Sequence, residues 1–346
     1  PEAATIEVLS GPDGAWSAGN LRPGEYEVVE VQPQGYLDGL DAAGTAGGTA
    51  HNPGDRIDGV RLVSGQVGQR YDFGEIVPGS IRGKVVADAD GNSEFNPGDI
   101  LLEGVTVQLL DAQGTVLQTT ATDALGKYAF TGLAPGTYAV RELQPAGYYD
   151  GPDKVGSLGG TLQPTDSIVA IGVVSGAAGV NYDFYELLPS TISGRVFEDD
   201  NCQVDPGDPP IAGVTLRLRD AEGNLVAVTQ TDANGEYRFT NLAPGVYAVE
   251  ELQPDGYYDG CDHVGTAGGS LVPPDTIEGI SLISGTDARR NDFGERRPAS
   301  IAGTVYADDN DNGVRDPGEA PIAGVLIAML DADGAATGQT AVTDAA

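Results

Sequence analysis

A twelve-residue stretch at 308–319 has the spacing of a cation-binding loop. It reads DDNDNGVRDPGE and satisfies D-x-[DN]-x-[DN]-G-x₅-E, the pattern of a calcium loop. In such loops oxygen atoms converge on one hard cation, and a glycine at position 6 allows the sharp turn. The ligands would be the side chains of Asp308, Asn310, Asn312, Asp316 and Glu319, with the carbonyl oxygen of Val314. The spacing therefore predicts a calcium site.

A second stretch, 88–99, keeps most of this pattern. Its ligands would be Asp88, Asp90, Asn92, Glu94, Asn96 and Asp99. Ser93 replaces the expected glycine, and Asp99 has a shorter side chain than the usual glutamate. We predict calcium here too, with a solvated acidic turn as the alternative.

A third stretch departs further. It is two residues shorter than the 308–319 loop over the corresponding span, 199–205 against 308–316, and it contains Cys202. Its oxygen-bearing candidates are Asp199, Asn201, Asp205 and Asp208, and both calcium binding and its absence remain open. The other cysteine of the chain, Cys261, lies in the same repeat, so we predict a disulfide, as in an oxidising exterior, with two free thiols as the alternative.

Such a disulfide would have a structural consequence, because bridged Cα atoms lie within about 7 Å of each other. It would place the acidic loop beside the GYYDG segment that precedes Cys261. In the preceding repeat, Asp150 and Asp153 would then face the 88–99 loop. We expect them to supply further ligands or to hold a second ion.

The chain is a tandem repeat. The segment 125–151 reads LGKYAFTGLAPGTYAVRELQPAGYYDG, and it returns at 234–260 as NGEYRFTNLAPGVYAVEELQPDGYYDG. Self-similarity at a fixed period indicates an array of equivalent units. The repeats predict a partial module 1 at 1–78, module 2 at 79–189, module 3 at 190–298 and a partial module 4 at 299–346.

Alternating apolar residues, as at Val105, Val107 and Leu109, predict strands with one buried face. The 51 Gly and 22 Pro, together with D-A-x-G and N-G turns, fit many short strands joined by tight turns. We predict an all-β fold of tandem antiparallel β-sandwich modules, immunoglobulin-like or transthyretin-like, of about 110 residues each.

The modules join through short segments with one proline each, which read YDFGEIVPGSI, YDFYELLPSTI and NDFGERRPASI. These segments are too short for a flexible tether, which favours a stiff rod over a loosely jointed string. The recurring acids of the joints are Asp72, Glu75, Asp183, Glu186, Asp292 and Glu295. They could be ligands between modules, but the sequence favours ordinary strand-end polarity.

Composition excludes several functions. A net charge of −34 disfavours nucleic acid and anionic lipid, because each phosphate contact would start against a repulsive field. No apolar run is long enough to span a membrane. His51 and His263 occupy non-equivalent positions, and no repeated pairing marks an acid, a base or a nucleophile. We therefore predict no catalytic residues and no enzyme.

Several blocks together resemble the SdrD B-like repeats of Gram-positive surface proteins. They are the acidic loop at 308–319, the IAGV and DADG segments within 322–334, TDAxGxYxFTxLxPGxYxV at 122–140 and 231–249, and the NDFG joint at 291–294. The resemblance implies calcium-stiffened β-sandwiches that act as extracellular stalks or spacers. Related collagen-adhesin modules often carry a Lys–Asn cross-link, which is not expected here because Arg195 and Thr304 replace Lys84.

The predicted function is thus a non-enzymatic extracellular structural protein, a calcium-stiffened rod in a surface stalk or fibre. The alternative is a cell-surface adhesin that binds a carbohydrate or protein ligand through module loops. The partial modules at both ends favour continuation into further repeats, and head-to-tail self-association is the other possibility.

Overall fold

In the computed structural model, which describes residues 5–164 and 166–344, every regular element is a β-strand. Within this described part, no helix has the length and apolar character needed to cross a membrane.

The strands fall into four groups along the chain. The first comprises β1 (Gly24–Val29), β2 (Leu37–Asp38), β3 (Thr49–His51), β4 (Arg56–Leu62) and β5 (Glu75–Ile76). The second comprises β6 (Gly79–Asp88), β7 (Ile100–Leu101), β8 (Thr106–Asp111), β9 (Val116–Ala121), β10 (Lys127–Leu133), β11 (Gly136–Glu142), β12 (Tyr149–Asp150), β13 (Thr161–Gln163), β14 (Ser167–Val173), β15 (Ala178–Gly179) and β16 (Phe184–Leu187).

The third group comprises β17 (Ser190–Glu198), β18 (Thr215–Asp220), β19 (Leu225–Gln230), β20 (Glu236–Leu242), β21 (Gly245–Glu251), β22 (Tyr258–Asp259), β23 (Ser270–Val272), β24 (Thr276–Leu282), β25 (Asp287–Ala288) and β26 (Phe293–Arg296). The fourth is a hairpin of β27 (Leu326–Leu330) and β28 (Ala336–Val342). Each sheet among the described residues draws its strands from within one of the four predicted modules.

Modules 2 and 3 are two-sheet sandwiches, which confirms the predicted fold class. In module 2 one sheet has the order β10-β6-β16-β12, and the other has the order β13-β14-β11-β8-β9. Module 3 repeats this with β20-β17-β26-β22 and β19-β18-β21-β24-β23. Two pairings in each of these modules differ from the antiparallel expectation, because the first strand runs parallel to two later strands. Strand β6 pairs in this way with β15 and β16, and β17 with β25 and β26.

The core lies between the two sheets. Val107 and Leu109 of β8 and Val85 of β6 have no exposed surface, while Tyr128 and Phe130 of β10 are 3% and 1% exposed. In β10 the two buried rings alternate with exposed neighbours, which is the period-2 pattern of the sequence. Asp88 is the last residue of β6, and the long loop from β6 to β7 holds residues 89–99, so the acidic loop lies at one end of the sandwich.

The links between modules are as short as the sequence predicts. Strand β5 ends at Ile76 and β6 begins at Gly79, while β16 ends at Leu187 and β17 begins at Ser190. Leu188, within the second link, packs against the core of module 2.

Candidate metal centres

The 308–319 loop gathers the side chains that the sequence predicts as ligands. The amide nitrogens of Asn310 and Asn312 each lie 2.7 Å from Asp316 Oδ2. Glu319 closes the loop, since its carboxylate accepts from the backbone N–H groups of Asp309 at 3.1 Å and Asp316 at 2.9 Å. The amide oxygens of Asn310 and Asn312 accept from the backbone N–H groups of Asn312 and Val314. Rotation of either amide would turn its oxygen from that contact toward a cation, so the oxygen-bearing side chains of this loop fit a hard cation.

Backbone geometry and charge also suit a cation in this loop. Asp311 and Gly313 have φ values of 59° and 72°, which curl the chain around the carboxylate of Asp308. The N–H of Gly313 donates to Asp308 Oδ2 at 2.8 Å and lowers the pKa of that carboxyl below its usual value. Because ligand carboxylates must be ionised, this hydrogen bond favours the binding-competent form.

The 88–99 loop adopts the same path despite its departures from the pattern. Ser93 takes a φ of 58° where glycine was expected, and its N–H donates to Asp88 Oδ2 at 2.6 Å. Carboxylate oxygens of Asp88, Asp90 and Asp99 lie within 4.8 Å of one another. Asp88 has no exposed surface. The structure thus brings the predicted positions together around one point.

In the 88–99 loop the amides of Asn92 and Asn96 also face the centre. Their nitrogens lie 2.8 Å and 3.2 Å from Asp90 Oδ2. Glu94 points its carboxylate outward, where Oε1 pairs with Lys154 Nζ at 2.6 Å. Only its backbone carbonyl therefore remains as a candidate ligand, as expected for position 7 of such a loop.

The loop of module 3 is built differently. A disulfide joins Cys202 to Cys261 with their Cα atoms 5.2 Å apart, which confirms the predicted bridge. Asp199 Oδ1 accepts from the N–H of Cys202 at 2.7 Å, and the amide nitrogen of Asn201 lies 3.0 Å from Asp205 Oδ2. The acids are gathered here too, but the loop carries a covalent link that modules 2 and 4 lack.

A guanidinium also enters this third loop. Arg195 Nη2 donates to the carbonyl oxygen of Asp205 at 3.1 Å and lies 3.5 Å from Asp208 Oδ2. The corresponding residue of module 2, Lys84, instead pairs at 2.6 Å with Asp183, which immediately precedes β16. A positive charge beside Asp208 competes with a cation, so the third loop is the weakest of the candidate sites.

Asp150 and Asp153 lie in a separate acidic group. With Asp166 they place carboxylate oxygens within 4.8 Å of one another, at the end of the sandwich that also carries the 88–99 loop. Of the two uses predicted for them, the structure favours membership of a second set of acids over addition to the first loop. Sequence reasoning did not pick out Asp166, although it follows a conspicuous Pro-Thr pair.

The joint acids separate into two types that the sequence did not distinguish. Asp183 is the ion-pair partner of Lys84, and Asp292 accepts from the backbone N–H of Arg195 at 2.9 Å. Glu186 and Glu295, by contrast, have no exposed surface. The interpretation of these glutamates as ordinary strand-end polarity is wrong, because such polar ends would be solvated.

The next module touches the 88–99 loop. Ser284, which is 5% exposed in a turn of module 3, donates its hydroxyl hydrogen to the backbone carbonyl of Asp88. The same hydroxyl oxygen accepts from the N–H of Leu188, in the link between the modules, at 2.9 Å. A second contact joins Tyr149 Oη to the carbonyl oxygen of Asn241 at 2.5 Å.

Fold and loops together define a class: arrays of β-sandwich modules in which an acidic loop follows the first strand, as in modules 2 and 3. The family model of the SdrD B-like domain matches residues 79–170, 190–294 and 299–346. The chain therefore belongs to the SdrD B-like domain family. Family membership and the disulfide agree on a location at the cell surface, outside the cytoplasm.

Among curated proteins, the chain is similar to serine-aspartate repeat-containing protein D of Staphylococcus aureus strain MW2, with 29% identity over 344 residues. That match covers 96% of this chain but 25% of the relative's length. Serine-aspartate repeat-containing protein F of Staphylococcus epidermidis is 29% identical over 254 residues, which cover 70% of this chain and 14% of the relative.

Two solved structures are similar at low scores. The Bacillus anthracis TIE protein has a TM-score of 0.34 and 18% identity, covering 84% of this chain and 45% of its own. The shaft pilin SpaA from Lactobacillus rhamnosus GG has a TM-score of 0.29 and 11% identity, covering 65% of this chain and 100% of its own.

Proposed function

We propose that this chain is a non-enzymatic extracellular spacer, in which calcium ions bound in the acidic loops at 88–99 and 308–319 stiffen a rod of β-sandwich modules. The contact between the 88–99 loop and module 3 carries the proposal. Asp88 offers its carboxylate to the ion while its backbone carbonyl accepts the Ser284 hydroxyl hydrogen. One residue thus belongs both to the candidate ion site and to the joint.

The mechanism follows from this double role. A bound cation would fix the carboxylate of Asp88 and, through it, the backbone that meets Ser284. Ser284 also accepts from the N–H of Leu188, so the ion site, the turn and the link form one hydrogen-bonded unit. Without the cation the loop would hold several carboxylates at close range, and their repulsion would loosen the joint.

The rod would serve as part of a surface stalk or fibre, continuing into further repeats of the same kind. The chain covers a quarter of the length of its serine-aspartate repeat-containing relative, which supports a role as one segment of a longer surface protein. The short links at 77–78 and 188–189 also support a spacer that resists bending.

Small-angle X-ray scattering of the full chain, in calcium and in chelator, tests the proposal. We expect the maximum dimension and the stiffness of the calcium form to exceed those of the chelated form. Even in calcium, Asp88→Asn should shift the scattering profile toward that of the chelated chain, because it loosens the joint of modules 2 and 3. The control Glu103→Gln, at an exposed acid, should not shift it. Identical profiles in all samples would contradict a calcium-stiffened rod.

A further inference from the structure

A cleft along the β6–β10 strand pair of module 2 collects positive charge in a chain whose net charge is −34. Its volume is about 540 Å³, within the range of small-molecule sites. Arg82 and Lys84 of β6 and Lys127 of β10 line it. The chain has only three lysines, and two of them lie here. We call this surface the cationic cleft.

The sheet register brings the three cations together. Lys127 lies directly opposite Lys84, and Ala129 lies opposite Arg82. Arg82 and Lys127 are exposed, whereas Tyr128, which follows Lys127, is 3% exposed. The cations therefore lie on the solvent face of the sheet. Like charges directly opposite each other destabilise a strand pair, so this arrangement has a cost in stability.

Lys84 is the cation that the protein itself neutralises, since its Nζ lies 2.6 Å from Asp183 Oδ2. Across residues 5–164 and 166–344, neither Arg82 nor Lys127 forms an ion pair. The other acid of the cleft, Asp123, already accepts from two backbone N–H groups of its own turn, at 2.8 Å and 2.9 Å. Two neighbouring cations thus remain unpaired in a chain with 52 acidic and 18 basic residues.

The equivalent surface of module 3 has the opposite arrangement. Glu236 takes the position of Lys127 and lies opposite Arg195. Arg238, on the same strand, pairs with Asp287 at 3.4 Å. The fold therefore does not require unpaired cations at this place, and their presence in module 2 needs another explanation.

Charge and hydrogen-bonding groups narrow the nature of a ligand. Three cations against Asp123 and Asp183 leave a net charge of 3 − 2 = +1, which one carboxylate would balance. The guanidinium of Arg82 can bind a carboxylate through two parallel hydrogen bonds. Thr120 and Asn181, which also line the cleft, offer a hydroxyl and an amide to ligand hydroxyl groups. A polyanion would instead meet the repulsion of the whole acidic chain.

We propose that the cationic cleft binds a sugar acid, a saccharide unit that carries one carboxylate. Arg82 would hold the carboxylate, and Lys127 would add a second charged contact. Thr120 and Asn181 would hold the hydroxyl groups of the sugar. Module 2 would then be a recognition module as well as a spacer, and neither the acidic loops nor the joint with module 3 enters this proposal.

Titration of the full chain with sodium glucuronate, followed by calorimetry and saturation-transfer NMR, tests the proposal. We expect glucose and sodium acetate to bind at least about tenfold more weakly, because glucose lacks the carboxylate and acetate lacks the hydroxyl groups. Arg82→Gln with Lys127→Gln should weaken glucuronate binding by at least about tenfold. Arg61→Gln, at an exposed cation of module 1, is the control and should not change it.

Lys127→Glu separates binding from folding, because glutamate is the residue type that module 3 has at 236. It should weaken glucuronate binding by more than about tenfold. It should also raise the melting temperature of the ligand-free chain, since it replaces a like-charge pair with Lys84 by an opposite-charge pair. The proposal is overturned if the wild-type chain does not bind glucuronate, if acetate binds as tightly, or if Arg82→Gln with Lys127→Gln binds glucuronate as the wild-type chain does.

Discussion

At the residue scale, carboxylate side chains have different roles according to the groups that surround them. Asp111, the last residue of β8, accepts from the N–H groups of Gln113 at 2.9 Å and Thr115 at 2.8 Å in the exposed turn that follows. Asp183 is buried and paired with Lys84. Glu142 is buried without a protein partner. The acidic residues that give the chain its net charge of −34 thus have different roles: some form turns, some form ion pairs and some line candidate cation sites.

The turn aspartates predict a pH effect with a definite sign. The Thr115 N–H, and then that of Gln113, lower the pKa of Asp111 below its ordinary 3.8. A depressed folded-state pKa contributes stability above the unfolded pKa, and this is lost as pH falls through the folded value. We expect an NMR titration midpoint below 3.8 for Asp111 in the folded chain. A midpoint at or above that value would contradict the hydrogen-bond geometry.

Some groups of acidic residues could be predicted from the sequence, and others could not. The loops at 88–99 and 308–319 could be predicted because their ligands lie within twelve residues and follow a turn pattern. The grouping of Glu142, Asp166 and Glu186 could not, since these acids come from distant segments and none stands out alone. The pairing of β12 with β16 and the backbone hydrogen bond from Glu142 to Asp166 bring them together.

At the element scale, the parallel pairing of first and last strands depends on a close backbone approach. Gly83 of β6 lies against the carbonyl of Tyr182, and that carbonyl accepts the hydroxyl hydrogen of Tyr128 at 2.7 Å. Gly194, Asn291 and Tyr237 repeat the arrangement in module 3, where the hydrogen bond is 2.6 Å. The alternation of apolar and polar residues predicted the strands. It could not show this parallel contact, because the two partners lie far apart in the chain.

A methyl group at Gly83 tests that approach. Gly83→Ala would place its Cβ onto the Tyr182 carbonyl, so we expect a loss of about 1–3 kcal/mol in the unfolding free energy of module 2. Gly172→Ala on β14 is the matched control, because its Cβ would meet nothing within 4 Å. Equal denaturant midpoints for the two variants would show that the strands can separate without cost.

At the scale of the whole molecule, rigidity depends on contacts between modules. The bond from Ser284 to Asp88 joins residues 196 apart in sequence, so no local pattern predicts it. The short links were predictable from the joint motifs, whereas the serine turn that meets the neighbouring loop was not.

Removing the serine hydroxyl tests the joint. Ser284→Ala should broaden the distance distribution between spin labels on modules 2 and 3 in calcium, while each module keeps its melting temperature within about 1–2 °C, given the modest worth of one hydrogen bond. Ser175→Ala is the control, because it removes the equivalent 3.0 Å bond from the Val77 N–H, which lies in the link between modules 1 and 2. An unchanged distance distribution for Ser284→Ala would show that the hydrogen bond to the 88–99 loop does not stiffen the joint.

The most direct test of the central claim is thermal unfolding of the full chain near pH 7, combined with bound-metal analysis, in calcium and after chelation. We expect several bound calcium ions and a steep fall in melting temperature when they are removed, because close carboxylates then repel one another. A metal-free chain with the same melting temperature in both buffers would contradict a calcium-stiffened rod.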